Sequence, residues 1–80
     1  MVSTENLEIL KLVASINTGE AVALRSIDMR LIRTHPAIIQ QGELLPRVRF
    51  LVNSGALAWK QENSSVVITE QGKNMMFEQS

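Results

Sequence analysis

The spacing of apolar residues near the start of the chain predicts an amphipathic helix over residues 4–17. Apolar side chains recur every three or four positions, which places them on one helix face. That face comprises Leu7, Leu10, Val13, Ala14 and Asn17, and it is widened by Ile9 and Ile16. Ser3 or Thr4 has the short hydroxyl side chain that favours an N-cap. So wide an apolar face in an 80-residue chain favours burial on two sides, one of them against a second copy.

A second helix is predicted over Ser26–Arg33, although the pattern leaves its beginning open. Residues 21–24 fit either an earlier helix start or a short strand that pairs with a later hairpin. Ser26 suits an N-cap, and Asp28 in the first turn would complement the helix dipole. The helix ends before Pro36, because a residue that precedes proline avoids the α conformation.

A third long helix is predicted over residues 43–54, and residues 36–41 before it fit one extra turn. Pro46 falls near the first turn of this helix, where a missing amide hydrogen costs little. The predicted core-facing residues are Leu44, Val48, Leu51 and Val52. Gly55 then supplies a stop, because glycine enters the left-handed conformation easily.

The last third of the chain predicts a β-hairpin followed by a helix. Residues 56–60 and 66–69 are strand-like, and the polar residues 61–65 between them favour a turn. Thr69 suits the N-cap of a final helix over residues 70–77.

The predicted fold class is therefore α+β and mostly helical. It consists of three N-terminal helices, a two-stranded hairpin and a short C-terminal helix, in a single domain of residues 1–80. A domain of this size buries only a small core, so dimerisation would add useful stability.

Charge is balanced overall but unevenly distributed. The formal net charge is zero, yet residues 25–49 contain all five arginines and only two acidic residues. The remainder contains three lysines and six acidic residues. Arginine binds phosphates and guanine edges well. The segregation fits either a nucleic-acid-binding face or an ordinary solvated helical surface.

The sequence disfavours catalysis and metal binding. It contains no cysteine and a single histidine, which nearly excludes the usual nucleophile–base pairs and disfavours a metal site built on thiolates or imidazoles. No glycine-rich phosphate loop is present. We therefore expect no enzymatic activity and no cofactor.

The first residues lack the features of a signal peptide, and no apolar run approaches the ~20 residues that span a bilayer. The expected compartment is therefore the cytoplasm, without membrane contact.

Two short motifs flank the predicted hairpin. Residues 51–57 (LVNSGAL) contain a Leu-x-x-x-Gly-hydrophobe pattern, and residues 68–72 (ITEQG) contain an Ile-Thr-x-x-Gly pattern. In this order they resemble the winged helix-turn-helix superfamily of bacterial and mobile-element DNA-binding regulators, over nearly the whole chain. The resemblance implies that helix 43–54 is a recognition helix for the major groove and that the hairpin is a wing.

Three polar residues of helix 43–54 are candidates for base contacts. Arg49 and Asn53 share a stripe opposite the predicted core face, and Arg47 flanks that stripe. In a major groove, arginine pairs with guanine and asparagine with adenine. The alternative is that they are ordinary solvent-facing residues.

A second set of candidates would contact phosphates. Arg30, Arg33 and His35 lie at the end of the second helix, which crosses the DNA backbone in helix-turn-helix complexes. The equal alternative is a cationic last turn that complements the helix dipole. Lys60 belongs to the predicted hairpin, which the resemblance implies is a wing. It would either contact DNA or lie in a solvated loop.

A third set marks possible protein contacts. Phe50 falls on the outward side of helix 43–54, where it either packs beneath the hairpin, binds a protein or contacts a thymine methyl group. Met75, Met76 and Phe77 either complete the core against the first helix or form a dimer contact.

The primary hypothesis is a DNA-binding protein, a transcriptional regulator that binds double-stranded DNA as a homodimer. The alternative is a protein–protein interaction module of the same fold without DNA binding. A third hypothesis is a small structural or inhibitory protein of a mobile element.

Overall fold

The computed structural model describes residues 3–18 and 20–79. Within them it contains five helices and a three-stranded antiparallel sheet, and 64% of the residues are helical. In chain order the elements are α1 (Thr4–Ile16), β1 (Val22–Ala23), α2 (Leu24–Thr34), α3 (Pro36–Gln40), α4 (Leu44–Asn53), β2 (Leu57–Gln61), β3 (Ser65–Ile68) and α5 (Glu70–Gln79). The α+β, mostly helical prediction is confirmed.

Helix α1 forms where its apolar spacing predicts, but it ends at Ile16, and Asn17, which was predicted to lie on the apolar face, is exposed. The Ser3 hydroxyl accepts a hydrogen bond of 3.1 Å from the amide of Asn6, which identifies Ser3 as the N-cap. The buried face holds Ile9, Leu10 and Val13, all without solvent exposure. Asn6 lies on the same face, and among the described residues it is the one polar residue that is buried.

The open alternative at residues 21–24 is resolved in favour of a strand followed at once by a helix. Val22 pairs with Val66 of β3, and α2 begins at Leu24. The predicted N-cap at Ser26 is therefore wrong, as is the first-turn position of Asp28. The N-cap is Ala23, which makes no side-chain capping hydrogen bond. Instead, the first amide of α2, that of Leu24, donates to the Ser64 carbonyl oxygen at 2.9 Å.

Four helices precede the hairpin, where three were predicted. The extra turn allowed at residues 36–41 forms the separate short helix α3, which begins at Pro36. Gly42 then turns the chain with a φ of +67°, a left-handed conformation that suits glycine. Helix α4 buries Val48 and Leu51 as predicted, with Leu44 and Val52 half-buried.

The predicted hairpin belongs to a larger sheet. The strand order is β1-β3-β2, and both pairings are antiparallel. Trp59 opposes Val66 and Gln61 opposes Ser65, so Lys60 is the additional residue of a β-bulge. A turn follows, in which Asn63 has a φ of +60° and the Ser64 amide donates to the Gln61 carbonyl at 2.9 Å.

A compact joint connects the end of α4 to the start of α5. Gly55 ends α4 with a φ of +86°. Thr69 donates its hydroxyl hydrogen to the Gly55 carbonyl at 2.5 Å and accepts from the Gly72 amide at 3.0 Å. The predicted cap at Thr69 is confirmed. Gln71 adds a hydrogen bond of 2.7 Å from its side-chain amide to the Ser54 carbonyl.

The core lies where α1, α2, α4 and the sheet meet. Its fully buried larger side chains are Ile9, Leu10, Ile27, Leu31, Leu51, Leu57, Val13, Val22, Val48 and Val66. Trp59, Met75 and Met76 pack against this cluster from its edge. None of the helices among the described residues combines the length and the apolar character that crossing a bilayer requires.

Candidate nucleic-acid interface

The outward face of α4 carries four exposed side chains, those of Pro46, Arg49, Phe50 and Asn53. Their exposure follows from helical periodicity, because Val48 and Leu51 direct the opposite face into the core. The predicted stripe of Arg49 and Asn53 is therefore accessible to a ligand. Both side chains present hydrogen-bond donors.

Arg47 lies apart from this stripe. Its Nη1 donates to Oδ1 of Asn6 at 3.0 Å, and its Nη2 and Nε donate to Oε1 of Glu43 at 2.9 and 3.1 Å. The side chain retains 27% exposure. Because its guanidinium is engaged with α1 and with Glu43, Arg47 braces α4 against α1, and its donors are not presented outward as those of Arg49 are.

Arg49 connects the exposed face of α4 with the hairpin turn. Its Nη2 lies 3.4 Å from Oδ1 of Asn63, a long and exposed hydrogen bond that a ligand can replace. Asn63 reaches this position from the left-handed conformation that asparagine tolerates better than most residues. Lys60, at the bulge of the same hairpin, is also exposed. The structure thus brings Arg49 and the hairpin turn together.

The predicted phosphate contacts at the end of α2 lie elsewhere. Arg30 and Arg33 are exposed and line a groove between α2 and α1, together with Glu8, Leu12, Ile16, Ser26, Met29 and Thr34. His35 joins α2 to α3, and its Nδ1 is buried without a hydrogen-bond partner. The groove that Arg30 and Arg33 line includes neither His35 nor any residue of α4 or of the hairpin turn, so the structure does not gather these two arginines with Arg49.

The residues predicted for protein contacts are placed in two different ways. Phe50 is 57% exposed, at the rim of a depression of about 360 Å³ that is lined by Asn6, Glu43, Pro46 and Arg47. Met75 and Met76 are half-buried and pack against the core, which is one of the two predicted alternatives. Phe77 is 75% exposed on α5.

Two features of these surfaces are not predicted by the sequence patterns above. The first is the hydrogen bond between Asn6 and Arg47. Asn6 lies four residues before Leu10, on the apolar face of α1, and a polar residue at such a position indicates that it has a buried hydrogen-bond partner. Met29 is 63% exposed and Ile32 is 42% exposed on α2. Periodicity indicates only the buried face of that helix.

The described residues hold no group of three or more histidine, cysteine, aspartate or glutamate side chains that could bind a metal ion. Comparison with known proteins adds no assignment: no family model, curated protein or solved structure matches the chain.

Proposed function

We propose that this chain is a small winged-helix DNA-binding protein, a transcriptional regulator, and that α4 and the β2–β3 turn face the duplex together. The observation that carries the proposal is the 3.4 Å contact between Arg49 and Asn63, which joins the exposed helix face to the hairpin turn. The order of α4 directly before the β2–β3 hairpin, with α5 after it, is also the order of elements that the resemblance implies.

Each residue of the proposed surface has its own role. Arg49 pairs with guanine or with a phosphate, and Asn53 pairs with adenine in the major groove. Lys60 contacts a backbone phosphate. Arg47 is a positioning residue, because its hydrogen bonds to Asn6 of α1 and to Glu43 hold α4 against α1. Arg30 and Arg33 are not included, since they line the separate α1–α2 groove.

A surface with so few cations favours binding by two copies. Arg49 and Lys60 are exposed here, whereas Glu62 in the same hairpin turn offsets part of their charge. Two protomers related by a two-fold axis would contact half-sites about one helical turn apart, which doubles the number of phosphate contacts. A homodimer on a palindromic duplex is therefore part of the proposal.

The test is fluorescence anisotropy of a labelled random duplex at ~50 and ~200 mM salt. The unchanged protein is compared with Arg49→Ala/Asn53→Ala and with Lys11→Ala, a control that removes an exposed cation from α1. We expect binding that weakens with salt, is lost in the double variant and is retained in the control. An absence of binding at the lower salt concentration, or equal loss in the control, would refute the proposal.

One observation favours a second candidate function, a protein-interaction module. Phe50 is 57% exposed and lines an open depression, and the two together offer a contact surface for a protein partner. In that case Phe50→Ser leaves the fold intact and abolishes binding of a protein partner, and the interaction is insensitive to salt. If Phe50→Ser still binds the duplex and this binding weakens as the salt concentration rises, the result favours DNA binding over the protein-interaction module.

A further inference from the structure

A concavity lies between α1 and α2, and none of its lining residues belongs to α4 or to the hairpin turn. It has a volume of about 520 Å³. Its apolar lining consists of Leu12 and Ile16 from α1 and Met29 from α2. The rim is charged, with Arg30 and Arg33 along α2 and Glu8 on α1. An apolar lining between two charged helix edges has the form of a site that receives a third helix.

Helix α2 also exposes more apolar surface than its own packing requires. Met29 is 63% exposed and Ile32, three residues further on, is 42% exposed. These two side chains lie on the surface opposite the buried Ile27 and Leu31. Adjacent exposed hydrophobic side chains beside a groove indicate a contact surface.

The charges of the groove favour an acidic occupant. Among the described residues, neither Arg30 nor Arg33 has a carboxylate within ion-pair distance. Helix α2 contains three arginines and a single acidic residue, Asp28, although the whole chain is neutral. A partner with carboxylates along one side would therefore gain charge-assisted hydrogen bonds without displacing an existing ion pair.

A second copy of this chain fits the groove poorly. In a symmetric contact between antiparallel α2 helices centred on Met29, Arg25 of one copy lies level with Arg33 of the other, because both are four residues from Met29. Like charges then face each other twice. Duplex DNA also fits poorly, because phosphates would face Met29 and Glu8.

We propose that the α1–α2 groove binds an acidic amphipathic helix of a protein partner. The apolar stripe of that helix lies on Leu12, Ile16 and Met29, and its carboxylates pair with Arg30 and Arg33. This site is independent of the α4 surface, so the protein would hold a partner on one side while α4 remains free.

The experiment uses the full chain and a labelled synthetic helix as the probe. The probe is an 18-residue peptide, so about five helical turns, with leucine at three- and four-residue spacing and glutamate on both flanks. Two control peptides replace every glutamate by lysine or place the same residues in scrambled order. We expect the acidic peptide to bind with a Kd of ~100 µM or tighter, and both controls to bind at least ~10-fold more weakly.

Matched variants locate the site. Arg30→Glu/Arg33→Glu should raise the Kd at least ~20-fold, and Met29→Ser at least ~5-fold. The control Lys60→Glu/Lys73→Glu makes the same change in net charge outside α2 and the groove and should alter the Kd less than ~3-fold. All substituted residues are exposed, and circular dichroism checks that each variant folds.

Each other outcome overturns the proposal. Failure of the acidic peptide to bind at ~1 mM excludes the site. Equal binding of the scrambled peptide indicates a merely cationic surface. A dimer in sedimentation that Arg30→Glu/Arg33→Glu dissociates assigns the groove to a second copy. Loss of duplex binding in that variant assigns it to DNA. The Arg49→Ala/Asn53→Ala variant should bind the acidic peptide normally, so failure of the DNA proposal is distinguishable.

Discussion

Gly72 of α5 lies against the carbonyl oxygen of Ala56, so closely that a β-carbon on Gly72 would stand 2.1 Å from that oxygen. This approach joins the two sequence motifs that flank the hairpin. Gly55 and Ala56 belong to the first motif, and Thr69 and Gly72 belong to the second. The motifs are thus two halves of one joint, and they specify how α4 meets α5, while Asn53 of the first motif also belongs to the proposed DNA surface.

Gly72→Ala should be strongly destabilising. The new methyl group cannot be placed without moving the backbone at Ala56, and we expect a loss of about 3 kcal/mol in the free energy of unfolding. Urea denaturation measures it. Gly42→Ala is the matched control, because a β-carbon on Gly42 would meet nothing within 4 Å and the only penalty is its φ of +67°. That control should cost about 1 kcal/mol, and equal losses in the two variants would contradict the joint.

Thr69→Val should remove two hydrogen bonds while it retains the shape of the side chain. The Gly55 carbonyl loses its donor and the Gly72 amide loses its acceptor. We expect a loss of about 2 kcal/mol in the free energy of unfolding, against less than about 0.5 kcal/mol for Thr34→Val in the exposed last turn of α2. Thermal unfolding of both variants provides the comparison, and a stable Thr69→Val protein would show that the cap is dispensable.

Arg47 and Arg49 should separate stability from DNA binding. Arg47→Met leaves Oδ1 of the buried Asn6 without its donor, so we expect a loss of about 1–2 kcal/mol in the free energy of unfolding. Arg49→Met should change stability by less than about 0.5 kcal/mol and weaken duplex binding about tenfold.

A double variant sharpens the test of Arg47. Replacing both partners, in Asn6→Leu/Arg47→Met, removes the buried polar atom together with its donor and should restore most of the stability lost in Arg47→Met alone. Urea denaturation of the four proteins of this cycle measures the coupling. Additive losses would mean that Asn6 and Arg47 do not interact in solution.

The salt dependence of duplex binding should be shallow. If Arg49 and Lys60 are the phosphate-facing cations of each protomer, the logarithm of the binding constant falls with the logarithm of salt concentration with a slope of about −2 per protomer. Lys60→Ala should reduce that slope by about 1. Anisotropy titrations at four salt concentrations measure both values. A much steeper slope would require the arginines of α2 at the DNA as well.

The elements that the sequence predicted well are those that local spacing determines. Helix α1, its cap at Ser3 and the core face of α4 follow from periodicity and from short side-chain contacts. The start of α2 does not follow from local spacing, because its first backbone amide, that of Leu24, donates to the carbonyl oxygen of Ser64 in the distant hairpin turn. No local pattern near Leu24 contains that contact, so Ser26 remained the better candidate for a cap.

The candidate site was predictable to the same extent. Helical spacing places Arg49 and Asn53 outward, and the structure has them exposed. Helical spacing placed Arg47 beside that outward stripe, but it could not show that the Arg47 guanidinium reaches Asn6, 41 positions away in the sequence. Contacts of that kind depend on how α1 and α4 pack. Periodicity within a single helix does not determine that packing.

The bulge at Lys60 has a consequence for how copies of this chain can meet. Strand β2 is an outer strand of the sheet, and an outer strand offers unpaired backbone groups to any strand that approaches it. The irregular register there interrupts the regular ladder, and the exposed Lys60, Gln61 and Glu62 add charge and hydration. Both features oppose the addition of a further strand, from another copy of this chain, at the β2 edge.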